Sequence, residues 1–241
     1  MSKIKVMRVV TSENVIPWHM HNTLKRISND YEVCIVGQKV SIHQNTYPEI
    51  KFVDIDINRK VNIVADLKAL LSLVRLLHIF KPDIVHSIMP KAGLISALAG
   101  FFCRVPVRIH TFTGQIWVAN QGKMSKLYYY LDRLINKLNT VCLTDSFSQS
   151  NFLLKHKISY KGKALSVLGK GSLSGVDIER FHNYLYSNDK IKLKLKYSID
   201  NDSFVFSFIA RKRSLRYFRS FLQHKLTIQK FKIIICGSRR R

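Results

Sequence analysis

Short apolar runs alternate with longer amphipathic ones along most of this chain. Val6 to Val10, Glu32 to Val36, Lys51 to Ile55, Asp83 to His86, Val107 to His110, Val141 to Thr144 and Leu165 to Leu168 are brief and rich in Val and Ile. Runs of this kind read as buried parallel strands. Between them, Asn62 to Lys81 reads as an amphipathic helix, with Leu67, Leu70, Leu71, Val74 and Leu77 at three- and four-residue steps. Lys91 to Arg104 and Lys123 to Leu138 read as further helices, and Ser146 to His156 as a weaker one that Ser146 can cap. The alternation predicts an α/β fold, a doubly wound parallel sheet of Rossmann-like form. Ligands of such sheets bind outside the carboxyl ends of the strands. That rule places the loops after Val10, His86, His110, Thr144 and Leu168 on one rim.

The pattern changes after Phe181. Tyr184 to Asp189 is polar and Lys190 to Tyr197 is highly charged, which reads as a linker with a short helix. Phe204 to Ala210 and Phe231 to Cys236 then read as two new strands. The expected division is an N-terminal domain over 1–182, a linker over 183–202 and the start of a second domain over 203–241.

Charge narrows the partners. The chain of 241 residues has a formal net charge of +25. Either nucleic acid or an anionic membrane surface fits that balance, as does a plain solvated basic surface. From Ser203 onward there are eleven Lys or Arg and no Asp or Glu, so the excess is concentrated at the end. Basic and aromatic residues are not interleaved as on a single-strand platform, and Tyr128, Tyr129 and Tyr130 cannot share one helix face. The four cysteines, Cys34, Cys103, Cys142 and Cys236, are scattered without metal-ligand spacing and read as buried free thiols in a reducing compartment. With no signal-peptide pattern and no apolar run long enough to span a bilayer, the chain is expected to be soluble or peripheral.

Three loops carry candidate chemistry. Pro90-Lys91-Ala92-Gly93 opens a helix, where free backbone N–H groups and Lys91 favour an anion and small Ala92 and Gly93 permit close approach. The same residues also suit plain packing. His110 ends a strand and precedes Thr111-Phe112-Thr113-Gly114; it can donate to a substrate hydroxyl or be satisfied locally. Gly169 to Asp177 holds three glycines, which allow a sharp turn, and Asp177 can cap the turn after it. Trp18 and His19, after the first strand, could flank the same cleft. Neither a Gly-x-Ser-x-Gly elbow nor a Walker phosphate loop, a His-Glu-x-x-His or a Cys-x-x-Cys occurs.

Taken in order, these segments resemble the family 4 glycosyltransferases of GT-B fold, in the branch that builds bacterial O-antigen and capsule glycans. The likeness rests on Asp66-Leu67-Lys68-Ala69-Leu70, Lys81-Pro82-Asp83-Ile84-Val85-His86-Ser87, Pro90 to Leu94, Arg108 to Gly114, Asp145 to Gln149 and Gly171 to Asp177. It covers roughly residues 1–211. The resemblance implies transfer of a sugar from a nucleotide-sugar donor to a polyprenyl-diphosphate-linked acceptor, with retention and without a metal or other cofactor. It implies a peripheral place on the cytoplasmic face of the bacterial inner membrane, against its anionic surface, and no specific nucleic-acid partner. By the same resemblance His110 is catalytic. Trp18, His19, Lys91, Ala92, Gly93, Thr113 and Gly114 face the acceptor. Gly171, Ser172, Gly175, Asp177 and Arg211 face the donor, with Arg211 stabilising the leaving diphosphate.

The chain departs from that family after Arg211. The family's Asp-Lys-Gly is replaced by Ser214-Leu215-Arg216-Tyr217, and its two glutamates eight positions apart have no counterpart among Glu13, Glu32, Glu49 and Glu179. A second Rossmann-like domain present only as a fragment is therefore expected, together with doubtful activity. Arg213 to Phe221 is compatible with bases that, read one position over, spell Asp-His-Leu-Asp-Ile-Leu-Glu-Ala-Phe, so a frameshift is expected there. The alternatives are a non-catalytic module docked on the membrane, an inactive gene remnant, and a nucleic-acid binder driven by charge.

Overall fold

The Val- and Ile-rich runs form strands, and both faces of the central ones are buried. The computed structural model describes residues 3–58, 61–159, 162–163, 165–175, 177–179, 187–200, 204–209 and 231–236. The chain divides into two compact units, Met1–Asp177 and Ile178–Arg241. In the first, β1 (Lys5–Val9), β2 (Glu32–Gly37), β3 (Lys51–Asp54), β4 (Ile84–Ile88), β5 (Val107–Phe112), β6 (Val141–Thr144) and β7 (Leu165–Val167) make one sheet in the order β3-β2-β1-β4-β5-β6-β7. Every neighbouring pair is parallel. Along β2, Val33 and Ile35 enter one hydrophobic cluster while Cys34 and Val36 enter another, so the strand is covered on both sides. That explains why its sequence is continuously apolar rather than alternating.

Helices connect most of these parallel strands, as parallel pairing requires. They are α1 (His21–Asp30), α2 (Ile63–Phe80), α3 (Pro90–Phe102), α4 (Gly122–Leu138) and α5 (Phe147–Lys155). Strand order reverses at β1/β4, the switch point where such sheets open a crevice. Small residues run through α3, and Ala92, Gly93, Ser96, Ala97, Ala99 and Gly100 are all buried. They let α3 lie closely between α2 and α4.

Two helix starts obey capping chemistry. The Asn62 side chain accepts from the Ala65 N–H at 3.1 Å, and the Ser146 hydroxyl from the Gln149 N–H at 3.2 Å. At its other end α2 stops at Lys81, in the left-handed region with φ +51°.

Four expectations need correction. The buried face of α2 is Ala69, Leu73, Leu77 and Phe80, whereas Leu67 and Leu71 are exposed. Leucines occur nearly all round this helix, so periodicity alone selects a face rotated from the true one. Helix α1, preceded by a π-helical turn over Ile16–Met20, is absent from the elements the pattern predicts; Leu24 is its buried residue, which leaves little apolar signal. Strands β4 and β5 run on past His86 and His110, because Ile88 pairs with Thr111 and Phe112 with Thr144. Cys103 is half-buried, while Cys34 and Cys142 are buried as expected, with thiols that burial pushes up to about 12 and about 11. The Cys236 side chain lies outside the described residues.

In the second unit, α6 (Ser187–Lys196) precedes β8 (Phe204–Ile209) and β9 (Phe231–Cys236). These two strands pair in parallel, Phe204 against Phe231 through Ile209 against Cys236.

The corrected face of α2 gives a direct test. Leu73→Ala should cost about 2–5 kcal/mol in urea unfolding, whereas Leu71→Ala should change stability by less than about 0.5 kcal/mol. Similar losses from both would restore the face that periodicity suggests.

Candidate functional site

Toward the carboxyl ends of β4 and β5, α3 packs closely on the sheet. The ring of His110 lies beneath the first turn of α3. A Cβ added to Gly93 would stand 2.4 Å from His110 Cε1 and 2.7 Å from Nδ1. Only glycine fits there. Met89, immediately before α3, has φ +80° and ψ 145°, a backbone state that a bulky residue rarely adopts. Pro90 then sets the helical φ of the first turn.

Ala92 is fully buried in the hydrophobic core, and the Gly93 N–H donates to the Met89 carbonyl at 2.8 Å. Both small residues pack closely against the core and the His110 ring. The Lys91 Nζ is 2.7 Å from Asp66 Oδ1 in the first turn of α2, and both side chains are largely covered. That ion pair ties the starts of α2 and α3 together. Sequence reading misses Asp66 as a partner, although it belongs to a segment singled out by the resemblance.

His110 is within β5, not at its end, and is 1% exposed. Its Nδ1 lies 2.9 Å from Ser87 Oγ on β4, its register neighbour, and its ring meets Phe112 edge-on at 4.7 Å. Burial holds its pKa down to about 3, so the imidazole is neutral at ordinary pH. His86 is also depressed, chiefly by burial and further by the nearby Arg8 and His110; its Nε2 is 2.8 Å from Thr111 Oγ1. Arg8, adjacent in register on β1, is buried and lowered to about 10 by that burial, with one guanidinium nitrogen donating to Thr23 Oγ1 at 3.4 Å.

The remaining sequence-predicted residues lie along the same rim. Trp18 and His19 are in the turn after β1; Trp18 is 50% exposed, and partial burial lowers the His19 pKa. Thr113 and exposed Gly114 follow β5, and the Gln115 side chain donates to the Thr113 carbonyl at 3.2 Å. After β7, Gly171 has φ +98°, and a Cβ on it would stand 2.5 Å from the Asp145 carbonyl oxygen. The Ser172 N–H donates to that same carbonyl at 2.6 Å, and the Gly175 N–H to Ser172 Oγ at 3.2 Å. The glycine-rich loop is thus seated on the β6–α5 turn. Asp177 is partly exposed beyond it, and Arg211 lies outside the described residues. A second buried pair also escapes sequence reading: Trp117 Nε1 donates to Asp132 Oδ2 at 2.9 Å, and burial raises that carboxyl to about 6. Among the described residues no cluster of three or more His, Cys, Asp or Glu could hold a metal, and no helix is long and apolar enough to cross a membrane.

Comparison with known proteins adds to this geometry. A family model described as glycosyl transferase 4-like matches residues 8–145. CapM, a capsular polysaccharide biosynthesis glycosyltransferase of Staphylococcus aureus, is 33% identical over 243 residues, covering 98% of this chain and 59% of its own length. A UDP-Gal:alpha-D-GlcNAc-diphosphoundecaprenol alpha-1,3-galactosyltransferase of Escherichia coli is 29% identical over 156 residues, covering 64% of this chain and 38% of its own length. The chain therefore spans three-fifths or less of these relatives. Among solved structures, a Rickettsia africae glycosyltransferase superposes with TM-score 0.67 at 18% identity, covering 98% of this chain and 61% of its own. Anabaena HepE in complex with UDP-glucose gives 0.67 at 11%, covering 96% and 60%. A UDP-GlcNAc 2-epimerase of Neisseria meningitidis gives 0.57 at 17%, covering 98% and 66%, so the fold by itself does not choose between transfer and epimerisation.

The buried histidine can be tested by packing and by pH. Gly93→Ala should cost about 1–3 kcal/mol by overpacking, and roughly half of that or less in a His110→Ala background, as a double-mutant cycle in urea. Equal costs in both backgrounds would falsify the contact. The pH response has a defined sign. Folded His110 stays unprotonated down to about 3, while its ordinary value is 6.5. The stability it supports is whole above 6.5 and is lost as pH falls toward 3. Asp132, raised to about 6 from 3.8, acts oppositely, its contribution being lost as pH rises through 6. Comparing His110→Asn with the parent chain removes the Asp132 effect. Between about pH 6.5 and 5 the variant should lose stability less steeply, by about 1.4 kcal/mol per pH unit. Parallel slopes would place the His110 ring in contact with water.

Proposed function

We propose that this chain, which belongs to the glycosyl transferase 4-like family, forms the acceptor side of an enzyme that moves a sugar from a nucleotide donor to a lipid-linked glycan. The observation that carries this reading is the single rim. Loops after β1, β4, β5, β6 and β7 all open on the carboxyl edge of one parallel sheet, and Pro90 to Leu94, Thr113-Gly114, Asp145 to Gln149 and Gly171 to Asp177 of the family likeness lie at that edge. The E. coli relative's name gives a polyprenyl-diphosphate sugar as its acceptor, and the S. aureus relative is named for capsule synthesis. Both support a surface-glycan role.

In this reading Lys91, Trp18, His19, Thr113 and Gly114 border the acceptor. His110, with Ala92 and Gly93 above it, sets the height of the α3 start as a neutral hydrogen-bonding group. Gly171, Ser172, Gly175 and Asp177 border the donor, and Arg211 is assigned to the leaving diphosphate. Transfer retains configuration and uses no metal or other cofactor. The chain works on the cytoplasmic face of the inner membrane, held to its anionic surface by basic side chains, and has no specific nucleic-acid partner.

Vesicle binding tests the acceptor assignment. Anionic vesicles carrying GlcNAc-diphosphoundecaprenol should retain the chain more strongly than the same vesicles without it. Lys91→Ala should shrink that difference by about tenfold. Equal retention on both vesicles, with steep salt dependence, would reduce the chain to a basic surface binder. Donor turnover is read separately, as nucleotide release and glycosylated lipid across a panel of nucleotide sugars.

A further inference from the structure

Beside the Asp66–Lys91 pair lies a cavity of about 140 Å³. Its walls are Pro90 and Leu94 of α3 with Tyr128, Leu131 and Ile135 of α4. Ile135 is fully buried, while Val61 and Ile116, which also line it, are exposed and so mark its opening. Apart from Lys91, Asp66, Asp132 and the phenol of Tyr128, the lining side chains are hydrocarbon. Lys91 and Asp66 offset each other, and Asp132 accepts from the Trp117 N–H, which leaves one hydrogen-bonded carboxyl at the cavity wall. Apolar cavities of roughly 150 Å³ stay dry and take up a small hydrocarbon.

The apolar surface continues outside the opening. Met124 and Leu127 stand one turn before Tyr128 and Leu131 on α4, and Ile63 and Leu67 flank Asp66 on α2; all four are exposed. Lys123 and Lys126 lie on the same turn of α4, and Lys123 is exposed. A greasy collar studded with lysines complements a lipid whose head is anionic.

We infer that this cavity seats the first isoprenyl unit of the lipid acceptor, with the collar resting in the bilayer surface. The inference rests on the acceptor reading above and adds a hydrocarbon subsite to it. The rim needs such a subsite for a physical reason. A diphosphate-sugar head is held by polar contacts in competition with water, whereas a buried five-carbon unit gains from leaving water wherever the rest of the chain lies.

Titration calorimetry on the full chain separates the possibilities, using three probes: GlcNAc-diphosphate bearing a farnesyl chain, the same head bearing a methyl group, and farnesol. Leu131→Phe fills the cavity and Leu131→Ala enlarges it, so one variant need not stand alone. The farnesyl compound should bind the parent chain, weaken about tenfold or more in Leu131→Phe, and keep its affinity in Leu131→Ala. The methyl compound should not respond to either change. If both head-group compounds bind alike and ignore Leu131, the acceptor reading stands and the hydrocarbon subsite is overturned. If farnesol binds in a Leu131-dependent way while the head group adds nothing, the subsite stands and the acceptor reading fails. If no isoprenoid responds to Leu131, the inference is overturned.

Discussion

The contact between Gly93 and His110 sets how closely α3 lies on the sheet. A strand and the helix after it ordinarily keep a side chain between them. Here that side chain is an imidazole, and α3 approaches so closely that a single Cβ would overlap it. The height of α3 over β4 and β5 fixes where Pro90 and Lys91 emerge, and through Lys91 it fixes Asp66 and the start of α2. The uncommon backbone at Met89 is the local cost of bringing the chain out of β4 at that height. Lys91 and the wall residues Pro90 and Leu94 therefore all depend on one missing methyl group.

A strongly basic protein must keep its excess charge out of the sheet, and this one does so unevenly. His110 and His86 are buried in their neutral forms. Arg8 is the exception, a guanidinium buried on the central strand β1 and bonded to the Thr23 hydroxyl. Desolvating a charge without a carboxylate partner is expensive. The neutral state of both nearby histidines fits that field, since a positive imidazole beside Arg8 would add repulsion to the loss of hydration. Neutral imidazoles can still hydrogen-bond, and Ser87 and Thr111 take that role.

Much of this architecture was legible from residue order. All seven runs of the main sheet became strands, and the helix ends at Asn62, Lys81 and Ser146 agree with capping and turn chemistry. The features that stayed hidden have physical reasons. Helix α1 buries mainly Leu24, so it lacks the stripe that periodicity detects. The end of β5 could not be located because Thr111 and Phe112 suit a strand as well as a loop, and His110 therefore reads as a strand terminus. Ala92 and Gly93 stood out as special, but whether a small residue admits a ligand or a neighbouring ring is decided by tertiary contact. The partners Asp66 with Lys91 and Trp117 with Asp132 join separate elements, and no local pattern encodes such pairings.

The misassigned face of α2 is itself informative. A helix that is apolar around most of its circumference is normally buried on all sides or set against lipid. Helix α2 is covered on the side of Leu73 and Leu77 by the sheet and α3, yet it turns Val64, Leu67 and Leu71 outward, with Lys68 and Arg75 between them. In water that outward stripe is a liability for solubility, offset only by its cations. Against an anionic bilayer both features become favourable, because the leucines enter the interface and the cations meet the headgroups. The ambiguity that defeats a periodicity argument is then the signature of a helix with two apolar faces, one packed on the core and one turned outward.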